Sequence, residues 1–146
     1  MKRHALLVLA VGFLLAADSK DEDIQKEIKK LNGTWVVTSF TMDGNKVPED
    51  DVAKFKLVLE GKKYTLKQED NVVSKGTTKI DPSKKPKTID ISPEGDGEGS
   101  TWPGIYEIDG DSYKVCYNAG GKDRPAKFAA ESGSGFNLIV FKRAKP

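Results

Sequence analysis

The sequence predicts an all-β domain, an antiparallel barrel or sandwich of about eight short strands, behind one short helix and an export signal. Three observations carry this. From residue 34 onward apolar and polar residues alternate with period two in short runs. Turn-forming pairs such as Asp43-Gly44, Asp81-Pro82 and Asp109-Gly110 separate those runs at regular intervals. No second compositional regime interrupts them, and no repeat of solenoid length.

The chain opens with Met1-Lys2-Arg3-His4 and the apolar run Ala5 to Ala17, the pattern of a secretory signal peptide. Ala17-Asp18-Ser19 fits a small-residue cleavage site better than a cut after Ala17, which puts bulky Leu15 at the third position back. Residues 1–19 are therefore expected to be removed, leaving a single domain over 20–146. The apolar run falls short of the roughly 20 residues a membrane span needs, so no membrane span is expected. No cysteine stands directly after it to carry a lipid. The cut takes Lys2, Arg3 and Asp18, so 24 basic and 22 acidic residues become 22 and 21, a net charge of +1. Such a balance gives no electrostatic reason to expect a nucleic-acid partner. The cut also takes the one histidine, the side chain most used for proton transfer and metal ligation near neutral pH.

Element by element, Ile24, Ile28 and Leu31 recur at spacings of four and three, one face of a helix that ends at Asn32-Gly33. Acids at its start and lysines near its end suit the helix dipole. Thr34 to Phe40 reads as the first strand, and Pro48 to Lys54 as a turn of helix. Strands follow around Phe55, Leu57 and Leu59, around Tyr64 and Leu66, over Val72 to Ile80, and around Ile89 and Ile91. Pro93 to Ser100 is a glycine-rich loop. Gly104 to Ile108 and Ser112 to Tyr117 form the clearest hairpin. Ala126 to Ala130 and Phe136 to Arg143 are expected to close the set.

Leu31-Asn32-Gly33-Thr34-Trp35 and the terminal Lys142-Arg143 resemble the lipocalin and calycin barrels, which makes the fold an antiparallel lipocalin-like barrel. The resemblance implies that the tryptophan closes one end while a basic residue of the last strand packs over its ring. That gives a structural clasp of Trp35 with Arg143, Lys142 being the alternative. A wider set covers nearly the whole mature chain: Asp81 to Lys87, Gly104-Ile105-Tyr106-Glu107, Asp109-Gly110-Asp111, Cys116, Arg124-Pro125, Phe128 and Gly133-Ser134-Gly135. It resembles a family of small exported lipocalin-like domains abundant in planctomycete bacteria, whose function is not established. The chain lacks the Thr-Asp-Tyr motif of true lipocalins, and its strands are shorter. The resemblance therefore implies fold and location rather than activity.

Period-two alternation places Phe55, Leu57, Leu59, Tyr64, Leu66, Ile89, Ile91, Tyr113, Val115 and Tyr117 on the inner face, where they either line a ligand cavity or fill the barrel; all but Leu59 are taken as the ligand-lining set. Cys116 is the sole thiol. Beside Lys114 and near Arg124 it is a candidate reactive group, against the plainer reading of a small apolar residue in the wall. Glu94, Asp96 and Glu98 offer oxygen ligands but lack the spacing of a calcium loop. Lys79, Lys84, Lys85 and Lys87 form a basic run with no interleaved aromatics, read as a solvated turn. No metal, no cofactor and no catalytic residue is expected. The expectation is a secreted or periplasmic, non-enzymatic domain that binds a small apolar or amphipathic molecule in the barrel. The alternative is a structural or protein-interaction module of the cell envelope whose barrel is filled by side chains.

Overall fold

The structure, a computed structural model, describes residues 20–95 and 100–145. The predicted signal peptide lies outside the described residues, as do Asp96 and Glu98. Helix α1 spans residues 20–31 and turns Ile28 and Leu31 inward. It ends where Asn32 N–H donates to Ile28 O. Among the described residues nine strands follow: β1 (Gly33–Met42), β2 (Asn45–Lys46), β3 (Phe55–Glu60), β4 (Lys63–Gln68), β5 (Asn71–Asp81), β6 (Lys87–Pro93), β7 (Trp102–Asp109), β8 (Ser112–Asn118) and β9 (Phe136–Arg143). The short helix α2 (Glu49–Val52) separates β2 from β3.

From β3 to β9 each strand pairs antiparallel with the next. β1 pairs with both β3 and β9, and this joins eight strands into a closed barrel while β2 only extends the far end of β1. The all-β expectation and the N-terminal helix are borne out, and closure excludes the sandwich. A closed up-and-down barrel with a helix at one end is consistent with a lipocalin-like fold.

The strands obey period two because one face is buried and the other wet. Leu57 and Leu59 are buried while Lys56 and Glu60 are exposed, and Ile89 with Ile91, and Tyr113 with Val115, repeat the pattern. Two bulges interrupt the ladders. Thr38 is the extra residue of β1 against β9, its hydroxyl donating to Val140 O at 3.2 Å. Val73 is the extra residue of β5 against β4. Such insertions bend a strand and increase its twist, as closure requires.

Ala126 to Ala130, expected as a strand, is not one. Its alanines favour strands weakly, and Pro125 at its head has no N–H to pair. The segment lies instead across the outer wall. Pro125 and Ala130 are buried there, Phe128 lies under the Lys114 ammonium at 4.7 Å, and Arg124 donates to the carbonyls of Ile89 and Gly104. Its Nη2 also pairs with the Asp90 carboxylate at 2.7 Å, so one guanidinium ties the segment to both β6 and β7.

Candidate functional site

The inner face encloses a cavity of about 230 Å³. All ten side chains expected on that face line it: Phe55, Leu57, Leu59, Tyr64, Leu66, Ile89, Ile91, Tyr113, Val115 and Tyr117. Phe40, Val73, Ser74, Thr78, Trp102, Ile139 and Phe141 complete the wall. No charged side chain is among them. For scale, an apolar cavity of roughly 150 Å³ stays dry and takes up benzene.

The cavity has a floor and a mouth. Leu59, Ile89 and Tyr113 also border a smaller space of about 130 Å³ against Ile24, Ile28 and Leu31 of α1, so they form the floor. At the other end Val73 lines the cavity and is 48 % exposed, which places it at the rim. The bulge puts Val73 on the same side as its neighbour Ser74 instead of letting the two alternate. Trp102 stacks on Tyr117 near the same rim, ring centroids 5.5 Å apart at 12°. Phe40 meets Phe55 edge-on at 6.2 Å.

Below the floor, Trp35 is fully buried and its Nε1–H donates to Leu31 O at 2.8 Å. The Arg143 guanidinium lies 4.3 Å from the centre of the indole. Its Nη2 and Nη1 donate to the carbonyls of Lys30 and Asn32, and its Nε to Asp111. One arginine thus joins the end of α1, the β7–β8 turn and the last strand across a tryptophan face. Lys142 is exposed and takes no part in these contacts. Gly33 has φ of +129°, a region that L side chains rarely adopt, and a Cβ there would sit 3.4 Å from Arg143 Nη1.

Beside this clasp is a polar cluster absent from the sequence reading. Glu27 is only 3 % exposed, and its Oε2 accepts from Lys87 Nζ at 2.6 Å and from Tyr106 Oη at 2.8 Å. The signal was present: position 27 completes the stripe of Ile24, Ile28 and Leu31, but a glutamate there reads as solvent-facing. Trp102 was missed because Pro103 and the glycine-rich loop disguise the start of β7. Phe40 was placed in a strand without its facing being assigned.

Burial pushes the Tyr113 phenol well above its ordinary value. It does the same for Tyr106, helped by the hydrogen bond to the Glu27 carboxylate. Tyr117 is pushed up to about 12, chiefly by burial, against the opposing hydrogen bond to Asn137. Tyr64 is raised by burial, pulled back by the Ser74 hydroxyl and raised again by the charge of Glu94. These phenols stay neutral near pH 7, and those of Tyr64 and Tyr106 are hydrogen-bonded to Ser74 and Glu27.

Cys116 lies on the outer face of β8, fully buried beneath the 124–130 segment, its thiol donating to Ala129 O at 3.5 Å. Burial pushes the thiol up, away from the reactive thiolate. Lys114 shares that face but pairs with Glu107 at 3.0 Å. Of the basic run, Lys87 pairs with Glu27, while Lys84 and Lys85 are exposed.

The arrangement can therefore enclose a small neutral molecule among rings and branched chains, with a few hydroxyls to orient it. Compared with known proteins, the chain matches no family model, no curated protein and no solved structure.

Proposed function

We propose that the protein is an exported, non-enzymatic lipocalin-like domain that binds a small apolar or amphipathic molecule inside its barrel. The observation that carries this reading is the cavity of about 230 Å³ with an uncharged wall and a residue of its lining at an exposed rim. Concave, mostly apolar sites with a few placed polar groups are the usual form of small-molecule pockets. The mouths of β-barrels are a common place for them. The volume suits a ligand with one or two rings, or a short chain, rather than a long lipid. Export rests on the N-terminal pattern, and kinship with the planctomycete lipocalin-like domains on the motifs that resemble them.

A second reading, an interaction module, draws on Met42 (44 % exposed), Val72 and Val73, the exposed large apolar residues among those described. Native mass spectrometry of protein purified from its own host, paired with the denatured mass of the same sample, separates the two. Ligand binding predicts a reproducible extra mass on the order of 100–200 Da that is lost on denaturation, the size such a cavity admits. A stable oligomer without adduct favours the interaction module and overturns the first reading. The denatured mass also reads the mature N-terminus, expected at Lys20.

A further inference from the structure

The cavity wall is not uniform. Tyr64 on β4 and Ser74 on β5 both line it, and their hydroxyls lie 3.0 Å apart. Two hydroxyls carry two protons, and the bond between them uses one. Either oxygen can be the donor, so one O–H and spare lone pairs remain for a third group. Gly76, which pairs with Tyr64 across the ladder, leaves the adjoining wall without a side chain. A Cβ there would meet Ser92 O, so the backbones of β5 and β6 themselves keep that position bare. Thr78 and Tyr113 border the space beneath the floor, and the Tyr117 ring is held in its stack with Trp102. The Tyr64–Ser74 pair is thus a polar station set into an otherwise mostly apolar wall.

Among the described residues, the same wall has no cation to receive an acid. A carboxylate taken into it would lose its water and find no counter-charge, a penalty far larger than the gain from burying a ring. Glu94 adds to this, because its negative charge reaches Tyr64.

From these observations, and resting on the ligand-binding reading above, we infer that the ligand is a neutral ring compound with one hydroxyl or carbonyl group, which the Tyr64–Ser74 pair receives. Tyr64 and Ser74 are then the residues that set specificity, and fatty acids and other carboxylates are excluded. A bare hydrocarbon is accepted but not distinguished. Removing either hydroxyl leaves room for the ring and takes away one of the two groups that receive its polar atom. The ligand's own hydroxyl is then buried with part of its bonding unmet, a situation in which sites discriminate against it.

The test is a proton–nitrogen NMR titration of the mature protein with three matched probes: toluene, p-cresol and p-toluate at pH 7. Toluene is expected to shift resonances of the cavity wall, and p-cresol to shift the same set. p-Toluate is expected to bind at least about a hundredfold more weakly than toluene. In Ser74→Ala and in Tyr64→Phe, the ratio of p-cresol to toluene affinity should fall about five- to tenfold while toluene affinity holds. Ser74→Ala, at a half-buried position, keeps the comparison available should Tyr64→Phe fold poorly. A ratio unchanged in both variants, or p-toluate binding as well as toluene, overturns the inference and leaves the cavity as a ligand site. Failure of toluene itself to bind removes the ligand-binding reading and the inference with it.

Discussion

Replacing Trp35 with alanine should remove a large part of the stability of the barrel. The ring is fully buried, packs 5.3 Å from Tyr113, donates its N–H to Leu31 and carries the Arg143 guanidinium on its face. Truncating a buried tryptophan costs about 3–5 kcal/mol, from lost transfer energy and the cavity left behind. The cation–ring contact is itself worth roughly 0.5–2 kcal/mol. The freed Leu31 carbonyl and the unseated Arg143 argue for the upper half of that range, so about 4–5 kcal/mol. Domains of this size have only about 5–15 kcal/mol in all. At about 4 °C per kcal/mol the midpoint should fall by roughly 15–20 °C. Urea titration followed by far-ultraviolet circular dichroism measures the loss, with Trp102 fluorescence as a second probe. A loss below about 2 kcal/mol with an unchanged denaturant slope would refute the reasoning. Trp35 would then be replaceable packing, not the join between helix, turn and last strand.

All four tyrosines have raised phenol values, and each favours the neutral form in the fold. Their contribution is complete below the unfolded value of about 10 and is lost as pH rises through the folded values, about 12 for Tyr117. Absorbance at 295 nm should accordingly show phenolate appearing late and together with the loss of circular dichroism. A smooth titration centred near pH 10 with the fold intact contradicts this. Cys116 should react with a thiol reagent at the rate of unfolding in native buffer and at once in denaturant; immediate native labelling would mean an accessible thiolate. Glu27→Ala should cost about 1–3 kcal/mol in a urea titration, because Tyr106 is left buried without its acceptor. Glu27→Gln, which keeps an acceptor, should cost less, and equal losses would show that the hydrogen bond to Tyr106 does not matter.

The inner face was legible in the sequence because period two survives wherever one side of a strand is buried. Leu57, Ile89 and Val115 need nothing else to be placed. The Gly-x-Trp and the final arginine were legible as a pair because their family resemblance specifies a contact between the two ends of the chain. What escaped depends on contacts between remote segments. Glu27 looks like one more acid of a charged helix until Lys87 and Tyr106 meet it across the barrel floor. Residues 126–130 alternate weakly enough to imitate a strand, and only the bare outer wall around Ile105 and Cys116 explains why they lie across it. The Val73 bulge and the Tyr64–Ser74 bond depend on ladder register, which no local pattern records.

That the barrel is hollow, not filled, is tested most directly by crystallography of the protein under xenon pressure. Xenon enters apolar cavities of this size without needing a polar contact. A xenon peak inside the barrel among Leu57, Ile91 and Val115 is the expected result. An interior closed by those side chains, with no xenon there, would contradict the cavity and leave a side-chain-filled barrel in its place.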